Sequence, residues 1–204
     1  QQELTQLIDK LIYKYGDDLH TIVMLGDYVD RGPNSKGVLD ILMNWNIKNI
    51  KLVCLMGNHD YMMIQSVLHQ DKEMMDLWLT NDSGGTITVM TMGEKLKEYS
   101  QWMEENLVTS YHVGNLFFVH AGIDPDYDLS NQISDDLMWI REPFLSSEEN
   151  FGARIIHGHS PAPEGCDILF NRINLDTGCV FGGDLSAAIF GDDDRLIAIE
   201  SVKL

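Results

Sequence analysis

Positively charged residues are scarce in this sequence. Its 204 residues include 14 Lys and Arg against 32 Asp and Glu, so the formal net charge is −18 at pH 7. Proteins that bind nucleic acids or anionic membranes neutralise phosphates with clustered Lys and Arg side chains. The composition therefore argues against both kinds of partner, and any phosphate group that binds here must be held by a few local groups.

Cysteines and long apolar runs are also scarce. The three cysteines, Cys54, Cys166 and Cys179, are odd in number and lack CxxC spacing, which favours a reducing compartment and argues against a disulfide framework. No apolar run approaches the roughly 18 residues that span a bilayer, and no signal-peptide pattern opens the sequence. We therefore expect a cytoplasmic protein with no membrane partner.

The apolar content is nevertheless sufficient for a core. Hydrophobic residues make up 44% of the chain, and dense apolar runs alternate with turn signals, unlike the pattern of a disordered chain. A single core typically serves about 100–200 residues. We predict one folded domain over residues 1–204.

Short apolar runs that end abruptly in polar, glycine-containing turns recur along the chain. Residues 21–25 and 51–56 are two such runs, and each is typical of a buried strand followed by a loop and then a helix. The pattern returns at residues 116–119 and 154–156, with an amphipathic helix predicted at 1–15 and a helical middle at about 72–107, where Trp78 is a candidate core or lid residue. These units predict an α/β architecture of layered sheets flanked by helices.

The polar turns carry side chains suited to metal chemistry. They contain Asp27, Asp30, Arg31, Asn58, His59, Asp60, His120, His157 and His159. In α/β folds, chemistry gathers outside the carboxyl ends of the strands, where all these turns are expected. Imidazole, carboxylate and amide groups together are ligands for Zn, Mn or Fe. The pattern favours hydrolysis by a metal-activated water and requires no cysteine nucleophile.

Five ordered motifs in these turns resemble those of the phosphoprotein phosphatase family of metallophosphoesterases. The motifs are Gly26-Asp27-Tyr28-Val29-Asp30-Arg31-Gly32, Gly57-Asn58-His59-Asp60, His120-Ala121-Gly122, His157-Gly158-His159-Ser160 and Asp176-Thr177-Gly178-Cys179-Val180-Phe181-Gly182-Gly183. The last two are similar to the motifs of the bacterial and phage branch. The resemblance implies a layered α-β-β-α sandwich of two mixed sheets flanked by helices, the calcineurin-like metallophosphoesterase fold.

The resemblance further implies a centre of two divalent metal ions, with Mn expected and Fe, Zn or Ni as alternatives. Asp27 would bridge the ions, while Asn58, His120 and His159 would complete the shell of the second ion. A metal-bridging hydroxide would attack phosphorus directly.

Three other residues would act on the phosphate ester itself, and a fourth would orient one of them. Arg31 and Arg141 would grip the phosphoryl oxygens. His59 would be the general acid, with Asp30 holding its tautomer. For Arg141 the alternative is a surface salt bridge with a neighbouring glutamate, and for Asp30 it is a carboxylate that caps the next helix.

The sequence departs from the family pattern at its beginning. The family's first motif, GDxHG, supplies an Asp and a His to the first metal, and no such motif precedes the helix predicted at 1–15. The first residue is Gln1 and not Met, so we expect a single catalytic domain whose first strand and motif are missing from residues 1–204.

The motifs predict a substrate class and leave two alternatives open. Because Asp30 is present, we expect a phosphomonoesterase, most readily a serine/threonine protein phosphatase acting as a monomer on a phosphoprotein or a small phosphate ester. Asp60 and the Cys179 stretch are similar to symmetrical diadenosine tetraphosphatases, which are the first alternative. The second is a non-catalytic phosphate-binding module that has lost its first metal site.

Overall fold

A computed structural model of the protein describes residues 1–81, 84–162 and 164–203. The helices are α1 (Gln2–Tyr15), α2 (Ser35–Met43), α3 (Asn58–Leu68), α4 (Lys72–Thr80), α5 (Gly84–Met92), α6 (Leu96–Asn106) and α7 (Ser134–Trp139). The strands are β1 (Thr21–Met24), β2 (Lys51–Cys54), β3 (Ser110–Val113), β4 (Leu116–Val119), β5 (Arg154–His157), β6 (Asp167–Ile168), β7 (Arg172–Asn174), β8 (Leu185–Phe190) and β9 (Leu196–Val202). The predicted α/β class is confirmed, and the structure has a central mixed sheet flanked by helices.

The central sheet has five strands in the order β3-β4-β5-β7-β6. Its three middle strands run parallel, and β3 and β6 add antiparallel edges. Ile155, Ile156 and Ile173 are at most 1% exposed, as expected for parallel strands covered on both faces. The loops that carry His120 and His159 leave β4 and β5 at the same edge of this sheet.

A second parallel pair brings the other two motifs together. β1 pairs with β2 in the register Thr21↔Lys51, and both strands end at their polar loops on the same edge. The helical middle packs beside this pair, because Trp78, Tyr99 and Met103 share one buried cluster with side chains of α2 and α3. The predicted helical middle is thus divided in the structure into α4, α5 and α6.

The last two strands form an antiparallel hairpin of their own. β8 pairs with β9, and α1 packs on them through Leu7, Leu11 and Ile189. Among the described residues, β8 and β1 each have one edge without a strand partner. Both strands line a largely apolar cavity of about 1200 Å³ that extends to the polar loops.

Two properties bear on the expected environment of the protein. In the part of the chain that the structure describes, no helix combines the length and the apolar character needed to cross a membrane. Cys54, Cys166 and Cys179 are all free thiols.

One buried carboxylate anchors α1 to β9. Glu200 is 6% exposed and accepts hydrogen bonds from Lys14 and from the Tyr15 hydroxyl at 2.7 Å, while Lys10 forms an ion pair with it at 2.9 Å. These hydrogen bonds lower the pKa of Glu200 from 4.5 to about 2. The ionised form therefore stabilises the folded protein.

We predict that Glu200→Gln lowers the free energy of unfolding at pH 7. A depressed folded-state pKa contributes stability above the unfolded value, and this contribution is lost as the pH falls from about 4.5 to about 2. The difference between wild type and variant, measured by urea unfolding at several pH values, should shrink over that window. Glu104→Gln, which removes an exposed partner of His69, is the control and should change stability little. A difference independent of pH would contradict this assignment.

Candidate active site and metal centre

The loop after β1 has an unusual backbone conformation. Asp27, Asp30 and Arg31 have φ angles of 59°, 73° and 54°, in the left-handed region that L-residues seldom adopt. Such conformations persist only where surrounding contacts hold them, and they cluster at functional sites. The loop therefore directs three chemically important side chains at some conformational cost.

Asp60 supplies the contacts that hold this loop. Its fully buried carboxylate accepts backbone N–H groups from Asp27 at 2.8 Å, Tyr28 at 2.9 Å and Gly57 at 3.0 Å. Burial and the nearby Asp27 carboxylate raise the pKa of Asp60 to about 8, opposing the three N–H groups that favour its ionised form. The sequence motifs predicted no role for Asp60 in the site. Its place in the first turn of α3 is nevertheless typical of a carboxylate that caps a helix.

Close packing also joins the two loops. A Cβ atom at Gly57 would collide with the Asp27 carboxylate and its backbone nitrogen. Any larger residue there would displace Asp27. Glycine is therefore required at this position because the loops approach so closely.

Three of the predicted metal ligands converge on Nε2 of the fourth, His120. This nitrogen lies 3.2 Å from Asn58 Oδ1, 3.2 Å from His159 Nδ1 and 3.5 Å from Asp27 Oδ2. Ligand atoms of Asp27, His120 and His159 all lie within 4.8 Å of one another. Side chains from three loops and from the first residue of α3 thus form one cluster.

The donor set of this cluster fits a divalent cation. Nδ1 of His120 donates to the Leu25 carbonyl at 2.7 Å, so in the neutral ring Nε2 carries a lone pair, the usual tautomer of a metal-ligating histidine. Burial, followed by the charge of His120, lowers the pKa of His159 to about 3, which leaves its imidazole neutral at pH 7. Wherever a second nitrogen or oxygen lone pair faces that of His120 Nε2 at these distances, the two repel, and a cation between them removes the repulsion.

One group of three or more potential His, Cys, Asp or Glu ligands is present among the described residues. It provides for one cation. A second cation would have to share Asp27, so the centre of two metal ions stays a prediction.

His59 and Asp30 form a buried pair beside this cluster. Nδ1 of His59 lies 2.6 Å from Asp30 Oδ2, and the two side chains are 3% and 1% exposed. Burial alone would lower the pKa of His59, but the hydrogen bond to Asp30 and the charge of Asp27 outweigh it, so the pKa is raised. Because Nδ1 is engaged with Asp30, Nε2 is the nitrogen free to deliver a proton.

The two predicted phosphate-binding arginines line the same cavity. Nη2 of Arg31 donates to Asn81 Oδ1 at 3.3 Å, and its guanidinium lies 5.8 Å from the centre of the Phe181 ring. Nη2 of Arg141 donates to the backbone oxygen of His159 at 3.3 Å. In the described part of the chain, Arg141 forms no ion pair with a glutamate, so the surface salt bridge considered from the sequence is not formed.

His157 makes packing contacts, unlike the residues of this cluster. It is fully buried, its ring packs edge-on against Phe144 with centroids 4.9 Å apart, and burial lowers its pKa to about 4. These are the contacts of a packed core side chain.

Comparison with known proteins identifies the family. Residues 1–194 match the family described as calcineurin-like phosphoesterase. The chain belongs to this family. Calcineurin-like phosphoesterases use divalent metal ions, in agreement with the donor set around His120.

Two curated relatives of this calcineurin-like phosphoesterase carry the same enzyme name, bis(5'-nucleosyl)-tetraphosphatase PrpE (asymmetrical). The protein from Anoxybacillus flavithermus is 30% identical over 91% of this chain and 84% of its own length. The protein from Halalkalibacterium halodurans is 25% identical over 92% of this chain and 85% of its own length.

Solved structures share the fold. A crystal structure of a proposed diadenosine tetraphosphatase superposes with a TM-score of 0.70 at 24% identity, covering 99% of this chain and 87% of that one. A mutant of a cold-active protein tyrosine phosphatase superposes with a TM-score of 0.64 at 19% identity, covering 99% and 76%. These likenesses extend the fold assignment to nearly the whole chain.

We predict that His120→Ala lowers Mn²⁺ affinity by at least about 10-fold, because it removes the nitrogen on which the other ligands converge; even indirect partners of metal ligands are worth about 10–100-fold. Isothermal titration calorimetry of the metal-free protein measures the effect. His69→Ala, which changes an exposed histidine outside the site, is the matched control. Equal Mn²⁺ affinity in wild type and His120→Ala would contradict the assignment.

Proposed function

We propose that this protein is a metal-dependent phosphomonoesterase whose preferred substrates are phosphate esters of alcohols, including phosphoserine and phosphothreonine in proteins. The observation that carries the proposal is the buried His59–Asp30 pair, 2.6 Å apart beside the metal-ligand cluster. It supports an enzyme that protonates its leaving group.

The side chains divide the reaction between them. Asp27, Asn58, His120 and His159 would hold the divalent cation, which when bound supplies Lewis-acid polarisation and an activated water. Arg31 and Arg141 bind phosphoryl oxygens from the cavity, since planar guanidinium groups pair with them through parallel hydrogen bonds. His59 gives the proton on Nε2 to the departing oxygen, and Asp30 stabilises the imidazolium before transfer.

The importance of this proton depends on the leaving group. An alkoxide is a strong base and leaves poorly unless it is protonated, so general acid catalysis contributes about 10²–10⁴-fold for such substrates. A nucleotide phosphate or a nitrophenolate is a far weaker base and gains less. A raised pKa of His59 keeps the acid protonated to higher pH, which favours esters of alcohols.

Hydrolysis of dinucleoside tetraphosphates is the second candidate function. Two observations favour it: the relatives are named as asymmetrical bis(5'-nucleosyl)-tetraphosphatases, and the Phe181 ring is 66% exposed beside Arg31. An exposed ring next to a phosphate-binding guanidinium suits stacking of a nucleobase. Both candidates would use the same metal centre.

We predict that the protein with Mn²⁺ releases inorganic phosphate from a phosphoserine peptide. Parallel chromatography of products from diadenosine tetraphosphate tests the second candidate. ATP with AMP would indicate asymmetrical cleavage, and two ADP would indicate the symmetrical cleavage considered from the sequence.

Each outcome has a definite meaning. Faster turnover of the dinucleotide than of the peptide would replace the first candidate with the second. Binding of phosphate without hydrolysis of either substrate would favour the non-catalytic phosphate-binding module. Full activity in excess chelator would overturn the metal-dependent mechanism.

We predict that His59→Asn reduces kcat for a phosphoserine peptide by about 10²-fold or more, because the proton donor is lost. The effect on 4-nitrophenyl phosphate should be much smaller, since nitrophenolate leaves without protonation. His112→Asn is the control, because this exposed histidine lies outside the site. Equal losses with both substrates, or unchanged turnover of the peptide, would reject His59 as the general acid.

A further inference from the structure

The carboxylate of Asp30 accepts hydrogen bonds from three different helices. Besides His59 on α3, the indole Nε1 of Trp78 on α4 donates to Oδ2 at 2.8 Å, and the hydroxyl of Thr88 on α5 donates to Oδ1 at 2.6 Å. Trp78 and Thr88 are each 1% exposed. Because bulk water does not reach this carboxylate, these donors set its orientation.

The three donors are arranged so that the carboxylate is held at both oxygens. Trp78 and His59 share Oδ2, whereas Thr88 holds Oδ1 from the other side. Two anchored oxygens stop rotation about the Cβ–Cγ bond of Asp30. The plane of the carboxylate then fixes the ring of His59 and the direction of its Nε2.

Two glycines at the start of α5 allow this helix to pack closely against Asp30 and α4. A Cβ at Gly84 would lie 2.8 Å from the Cβ of Asp30, and a Cβ at Gly85 would lie 2.5 Å from the backbone oxygen of Trp78. Any side chain at these positions would push α5 away from Asp30 and from α4. The indole of Trp78 is itself held in the buried cluster that includes Met63.

We infer that Trp78 and Thr88 are positioning residues for the general acid: they hold Asp30 so that His59 presents Nε2 to the leaving group, and the preference for esters of alcohols depends on them. The inference rests on the proposed function. It gives α4 and α5 a catalytic purpose beyond packing, because these helices carry two of the three donors to Asp30.

The test compares two leaving groups on the same samples. The variants are Thr88→Val, which removes the donor with little change of shape, Trp78→Phe, which removes the donor together with part of the buried ring, and Thr88→Ser, which keeps the hydroxyl. For each, kcat/KM is measured with Mn²⁺ on a phosphoserine peptide and on 4-nitrophenyl phosphate. The ratio of the two values is independent of the fraction of folded enzyme, so a loss of stability does not imitate the effect.

We predict that the peptide-to-aryl ratio falls by about 10-fold in Trp78→Phe and Thr88→Val, part of the 10²–10⁴-fold that the acid contributes. In Thr88→Ser it should return to within about 2-fold of wild type, since the donor is regained. Trp45→Phe and Thr91→Val are matched controls. The donor of Trp45 bonds to the backbone oxygen of Ile50 and that of Thr91 to the backbone oxygens of Ile87 and Thr88, so the ratios of both variants should equal that of wild type.

If wild type discriminates through His59 but the ratios of Trp78→Phe and Thr88→Val match the controls, Trp78 and Thr88 only pack and the inference is wrong. If wild type hydrolyses neither substrate, the proposed function is wrong and the inference falls with it.

Discussion

The geometry of this site depends on three hydrogen bonds that one buried side chain accepts from backbone N–H groups. Asp60 binds the amides of Asp27, Tyr28 and Gly57, and so joins the loop after β1 to the start of α3. The first loop carries three left-handed residues, whose strain needs such support. Once the two loops are joined, the carboxylate of Asp27 faces the cluster around His120 and that of Asp30 faces His59.

Two carboxylates three residues apart in that loop have opposite surroundings. Asp27 lies among nitrogen and oxygen atoms that suit a cation, and its pKa is lowered despite burial, chiefly by the charges of the His120 and His59 imidazoles. Asp30 lies among hydrogen-bond donors that require an anion, from His59, Trp78 and Thr88. The loop thus places the predicted metal ligand Asp27 beside Asp30, the residue predicted to orient the general acid.

The chain's net charge of −18 sets the electrostatic background of the site. A negative field repels phosphate esters at long range. At 0.1 M ionic strength, salt screens this repulsion largely at distances beyond about 10 Å. Binding must therefore rest on short-range cationic groups. Arg31 and Arg141, which line the site cavity, are two of the chain's five arginines.

The sequence by itself determined the α/β class and the convergence of Asp27, Asn58, His120 and His159. Each follows a short apolar run, and parallel strands place their carboxyl ends at one edge. Only the tertiary structure decided which side chains donate hydrogen bonds to Asp30 and which group accepts one from Arg141. Trp78 and Thr88 lie 48 and 58 residues from Asp30 along the chain, and no local pattern encodes a contact between side chains on separately folded helices. Periodicity reports which face of a helix is buried, whereas the partner of a buried polar atom is settled by packing in three dimensions.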